Sequence, residues 1–363
     1  MFSLVLTFAQ TTLYGNVDQA WNKVTVKSAG NTISDKTGFA PIQMGGGILG
    51  VRGSEDLSGG MKASYVIEMQ PAIDGDSTGK EGMWNRQSFV GLSGGFGALR
   101  IGKQYSQAFN NTVAVDPGGT TGIAGNNAYV IQLAYLGVSA AGDAPLRQRN
   151  GMQYDLPEML PGLKAGATLV YGTEVNSANG GKTNEGHGFN ISYASGPIYA
   201  GYTYDRVKNT GINLLSTHTT RGNDVADASS SDQNEFTTMS ASYNLGMAKI
   251  SINNSKMSVG SKSVDNTFVA VSVPFGGNAN VWASAGQGSA YRPDNIRFGT
   301  TADISSNSSN TIAGDKGHES YQLGVNYALS KRTVLYAQYG KMELKDTSKF
   351  EQTGTALGVH HSF

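Results

Sequence analysis

The side chains best suited to acid–base work or metal ligation in this 363-residue chain are five histidines, His187, His218, His318, His360 and His361. Hydrolysis or group transfer needs a nucleophile, a base and an orienting group placed together. There is no cysteine to act as nucleophile or thiolate ligand. His187, His218 and His318 lie in or beside polar connecting stretches, without a nucleophile motif around them. His360 and His361 are adjacent, and neighbouring side chains of an extended chain point to opposite faces, so the pair does not converge on one ion. The glycine runs at 45–47 and 93–97 follow no phosphate-loop spacing and read as close packing and turns. These residues predict no enzyme, no cofactor and no metal site.

Charge is the chemistry that remains. Lys and Arg number 27 and Asp and Glu number 27, a net charge of zero that argues against a dedicated nucleic-acid binder. Glycine reaches 49 residues, about twice the usual ~7%. No stretch has sustained helical spacing of apolar residues, and no run of about 18 apolar residues offers a transmembrane helix.

The elements that must position the charges are strands. In YQLGVNYALSKRTVLYAQYG (321–340), Tyr321, Leu323, Val325 and Tyr327 alternate with Gln322, Gly324, Asn326 and Ala328, and the pattern resumes after Ser330 to Thr333. The same two-residue period places strands near 12–26, 39–54, 60–69, 85–93, 97–104, 147–154, 163–172, 187–194, 197–205, 236–245, 247–256, 265–273, 279–287, 318–328, 333–343 and 354–363, sixteen in all. Short links such as SGGFG, SGP, LGM and SKRT take turns with long polar ones, at 27–38, 70–84, 105–146, 173–186, 206–235, 257–264, 288–317 and 344–353. That asymmetry matches membrane barrels with short periplasmic turns and long external loops. A greasy face without a partner sheet is then covered by lipid, and closure pairs every backbone group. Tyr14, Tyr171, Tyr204, Tyr243, Tyr327 and Tyr339 are expected in the interfacial girdles. A sixteen-stranded barrel is too wide for side chains to fill and encloses water. The predicted fold class is therefore all-β, a 16-stranded antiparallel transmembrane β-barrel. The apolar run Met1 to Ala9 reads as the tail of an export signal, with the barrel occupying 10–363.

LSKRTVLYAQYGK (329–341), YNLGMAKIS (243–251), NRQSFVGLSGGFGALRIGKQY (85–105), LGVRGSEDLSGGMKASYVIE (49–68), TLYGNVD (12–18) and the terminal GVHHSF (358–363) together resemble the trimeric general porins of Gram-negative bacteria, particularly the β-proteobacterial branch. The resemblance implies an outer-membrane channel for passive diffusion of small hydrophilic solutes and ions. It also implies a homotrimer, with contacts to outer-membrane lipid and lipopolysaccharide. Leu357, Val359, His361 and Phe363 alternate outward and end on an aromatic carboxyl terminus, similar to the signal read by the barrel-assembly machinery.

In that family the third external loop folds inward and narrows the pore, its acids facing arginines on the wall. Here the loop is 105–146, and its acids are Asp116 in AVDPGGTTG and Asp143 near its end. Arg86 and Arg147 match the family's inward arginines on the fourth and sixth strands, and Arg149 shares the parity of Arg147. Arg52, Lys62 and Arg100 fall on lumen parity, as do the acids Asp18, Glu68 and Asp205. Ile48 stands where relatives often carry an arginine before the Leu49–Gly50 pair, so one rung of the ladder is missing. Basic residues outnumber acids in this set, which predicts weak anion preference. The competing reading is an outer-membrane barrel acting mainly as an adhesin or ligand-binding surface protein through its long loops.

Overall fold

The computed structural model describes residues 10–41, 44, 47–71, 84, 86–119, 147–174, 182–208, 233–259, 262–289, 317–345, 349 and 351–363. The expected export segment 1–9 and most of the long loops lie outside them. The strands are β1 (Gln10–Ser28), β2 (Asn31–Pro41), β3 (Ile48–Asp56), β4 (Lys62–Met69), β5 (Ser88–Gly94), β6 (Gly97–Tyr105), β7 (Arg147–Asp155), β8 (Leu163–Glu174), β9 (Lys182–Ser195), β10 (Ile198–Lys208), β11 (Gln233–Asn244), β12 (Lys249–Val259), β13 (Lys262–Phe275), β14 (Ala279–Gly288), β15 (His318–Ala328), β16 (Thr333–Leu344) and β17 (Glu351–Ser362). Among the described residues, the α-helix α1 (Gln107–Val113) follows β6.

Every pairing is antiparallel, and each strand from β3 onward bonds to its successor. β17 returns to β1, from Asn16 opposite Ser362 to Lys27 opposite Glu351. The carboxy-terminal residue completes the seam: Phe363 N–H donates to the Gly15 carbonyl at 3.0 Å, and Gly15 N–H to the Phe363 carbonyl at 3.1 Å. A closed ring leaves no unpaired edge, as hydrocarbon surroundings demand.

β2 and β3 both pair with the same side of β1, β2 along Gln19 to Ser28 and β3 along Gln10 to Asn16. They are two halves of one wall strand, so the barrel has sixteen wall strands. The single strand expected over 39–54 is thus interrupted. The expected long link at 27–38 is instead strand on both sides of a tight turn, because Ala29 and Gly30 both take positive φ, at 49° and 83°, the geometry of a two-residue hairpin turn. The link expected over 257–264 is similarly shortened, with β12 reaching Val259 and β13 starting at Lys262. Polar composition suggested loops there; the barrel's cross-strand bonding carries the strands past the membrane edge.

Burial runs opposite to that of a water-soluble protein. Leu323, Val325, Ile250, Ile252, Val269 and Val271 are exposed on the outside, whereas Gln322, Asn253, Thr238 and Ser240 are buried on the inside. Leu357, Val359 and Phe363 share the outward face. Tyr171, Tyr243, Tyr327 and Tyr339 are also exposed on it. Tyr14 departs from the expected girdle: its hydroxyl donates to Glu68 Oε1 at 2.6 Å, which places it on the inner face.

Candidate pore constriction

The segment following β6 turns into the barrel. Ser106 caps α1, its Oγ accepting from Phe109 N–H at 3.0 Å. The helix then crosses to inward-facing side chains of distant strands. Tyr199 Oη of β10 donates to Asn111 Oδ1 at 2.8 Å, and Lys249 Nζ of β12 donates to the Ala114 carbonyl at 2.7 Å. Val115 packs on Phe268 and Ala270 of β13, with Tyr199 beside them. Two glycines supply the space for this approach. A Cβ on Gly201 would sit 2.8 Å from Asn111 Cγ, and one on Gly118 would sit 3.2 Å from the Trp282 indole. Trp282 itself lies flat against Gly324, where a Cβ would stand 2.1 Å from the ring. Residues 106–119 therefore run through the lumen from the β6 side to the β10–β15 side.

On the wall the segment leaves, three guanidinium groups alternate with tyrosine rings. Arg52 lies over Tyr14 at 4.7 Å from the ring centroid. Arg86 and Arg147 both lie over Tyr105, at 5.7 and 5.3 Å. Tyr105 stacks on Phe109 of α1, centroids 4.8 Å apart. Arg86 is buried; it donates to Gln70 Oε1 at 3.3 Å and to the Tyr105 hydroxyl. Arg52 is exposed and Arg147 partly so.

The inward acids are engaged by protein donors. Glu68 accepts from Tyr14 and from Gln87 Nε2 at 3.2 Å, and Asp205 accepts from Gln148 Nε2 at 3.3 Å. Asp18 is 1% exposed and accepts from the Tyr336 hydroxyl and from Met44 N–H at 2.7 Å. Asp116, also buried, accepts from Gly118 N–H at 3.0 Å in a turn of its own backbone. Two of the expected lumen cations are paired below this level: Arg100 with Asp155, and Lys62 with Asp56 at 3.3 Å next to a tight turn.

Arg149 lies in a β-bulge. Gly102 and Gln104 of β6 face Gly151 and Gln148 of β7, with Asn150 at φ 48° between them. The bulge interrupts the parity that ran from Arg147 and Arg149 on to Gly151 and Gln153, and puts buried Gln148 in line with Gly151 and Gln153. Residue alternation missed Tyr14, Tyr105, Lys249 and Trp282 as parts of this region. The Trp282–Gly324 pairing alone leaves a trace in the sequence, a bulky and an absent side chain, and only the register aligns them.

A family model described as Gram-negative porin matches residues 4–347. Outer membrane porin protein 32 of Delftia acidovorans is 27% identical, over 98% of this chain and 94% of that protein. The major outer membrane protein P.IB of a Neisseria meningitidis serogroup A strain is also 27% identical, over 99% and 96%. Among solved structures, an anion-selective porin from Comamonas acidovorans superposes with a TM-score of 0.75 at 24% identity, covering 98% of this chain and 100% of that one.

Proposed function

Because the chain belongs to the Gram-negative porin family, we propose that its water-filled barrel passes small hydrophilic solutes by passive diffusion and weakly favours anions. It is an outer-membrane channel and not an enzyme. The sign of the selectivity rests on one observation: Arg52, Arg86 and Arg147 line one wall opposite an inward segment whose single acid in 106–119, Asp116, is turned into its own backbone. The inward acids Glu68, Asp205 and Asp18 are likewise held by protein donors. Low-dielectric walls focus the field of the arginines that reach the water, Arg52 and Arg147, across the lumen. The Comamonas porin of the same fold is described as anion-selective, which supports the sign. Reversal potential under a salt gradient in a planar bilayer tests it. An anionic sign is expected, and a cationic one would overturn the selectivity while leaving the channel intact.

The same reading includes a homotrimer. β4 and β5 have 8 and 7 residues, fewer than the ~9–11 a strand needs to cross a bilayer, so this part of the wall fits against protein better than lipid. Conductance steps in triplets would accompany a trimer. Contact with lipopolysaccharide is supported by outward charges beyond the Tyr321–Tyr339 pair, where Lys341 bridges Glu343 and Glu351 and Lys27 lies 3.9 Å from Glu351. Recognition by the barrel-assembly machinery is supported by the outward row Leu357, Val359, His361 and Phe363.

A further inference from the structure

The interruption between β2 and β3 sits beside Gly119 of the inward segment. Gln19 of β1 pairs with Pro41, and Asn16 pairs with Ile48, so two residues of β1 stand opposite six of its neighbour. In an antiparallel pair this mismatch must be absorbed where it occurs. The Asp18 carboxylate, on the inner face, takes the Met44 N–H on Oδ2 and the Tyr336 hydroxyl of β16 on Oδ1. Both oxygens are occupied and the side chain is almost fully buried. Tyr336 is fixed in turn by Gly358, where a Cβ would stand 2.3 Å from the phenol ring.

Met44 then meets the segment that crosses the lumen. A Cβ on Gly119 would lie 3.2 Å from the Met44 carbonyl oxygen, and Gly119 has φ +69°, open to glycine and strained for other residues. Gly119 N–H donates to the Asp116 carbonyl at 3.2 Å, in the turn that also bonds Gly118 to the Asp116 side chain. On its other flank Gly118 approaches Trp282 and Gln322. Gly118 and Gly119 thus lie between Trp282 on one wall and Met44 on the other.

We propose that Asp18 is a positioning residue for the constriction. Held by Tyr336, it fixes Met44 as a stop against which Gly119 of the inward segment rests, and so sets the width and steadiness of the pore. The proposal rests on the channel reading above. It assigns Asp18 no direct effect on permeating ions, since its oxygens are bonded inside the wall.

The test compares Asp18→Asn, Asp18→Ala and Tyr336→Phe with the unmodified protein in single-channel recordings, with heat-modifiable gel mobility as the check on folding. An Asn amide can still accept from Met44 and donate to the Tyr336 oxygen, so Asp18→Asn should retain current noise and reversal potential. Asp18→Ala and Tyr336→Phe should each raise open-channel noise roughly twofold or more, as local restraint is lost, with the reversal potential unchanged. Quiet, unaltered currents from folded Asp18→Ala would overturn the proposal. So would a reversal potential shifted equally by the Asn and Ala variants, the mark of a charge acting on ions. If Asp18→Ala does not fold, Tyr336→Phe decides alone: a noisy channel supports the stop and a quiet one rejects it. The unmodified protein in the same bilayers reports separately on whether the chain conducts.

Discussion

At the residue scale, the difference between charges that act on ions and charges that hold the wall lies in their hydrogen bonds. Arg52 and Arg147 stack on tyrosine faces and retain access to water, whereas Arg86 is buried and donates to Gln70 and Tyr105. A unit charge about 7 Å from a permeating ion in a water-like dielectric contributes ~0.6 kcal/mol, or about threefold in relative permeability. Arg52→Gln and Arg147→Gln are therefore each expected to lower the anion-to-cation permeability ratio by that order, read from reversal potentials. Arg86→Gln should change the ratio less and loosen the Tyr105–Phe109 stack, visible as added current noise. Alternation alone identified Arg52, Glu68 and Asp18 as inward residues. It carried no information on whether each carboxylate meets water or a protein donor, because the donors come from strands distant in sequence, such as Tyr336 for Asp18.

At the element scale, each wall strand has one face for lipid and one for the lumen, and the two should tolerate charge very differently. Val325 is exposed outward in β15 and its neighbour Asn326, partly buried, faces inward. Val325→Lys is expected to destabilise the folded barrel by about 2–4 kcal/mol near the bilayer midplane, measured by reversible unfolding in lipid. Asn326→Lys should fold normally. Gly324→Val poses a packing question instead. A Cβ there overlaps the Trp282 indole, so the ring must swing toward Gly118 and disturb the inward segment, and altered conductance from a folded barrel would report it. Strand positions were legible because lipid on one side and water on the other impose a strict two-residue period. The turn at Ala29–Gly30 and the break between β2 and β3 were not, since turn geometry and register mismatches depend on the partner strand.

At the scale of the whole molecule, function depends on closure. Phe363 both pairs with Gly15 through its backbone and lays its ring where a Gly15 side chain would stand, 2.7 Å from the nearest ring atom. Removing Phe363 is expected to reduce the yield of folded barrel far more than it alters the conductance of barrels that do form, compared by heat-modifiable mobility and single-channel current. Selectivity should also weaken as salt rises, because the Debye length falls from ~10 Å at 0.1 M to ~3 Å at 1 M and the arginine wall loses its reach across the pore. A preference unaffected by salt would require direct binding sites in place of a field.

The sequence by itself determined that this chain is a barrel with a watery interior: alternation, strand number and the lengths of connections are local properties written residue by residue. It also marked the long connection after Tyr105 as the element out of place on a mere surface. The tertiary structure decided what that connection rests on and which charges face the water. Tyr199, Lys249, Phe268 and Trp282 receive the inward segment from strands far apart in the chain, and Met44, between β2 and β3, meets it at Gly119. Those contacts arise only when the last strand returns to the first and brings opposite walls within reach across one lumen.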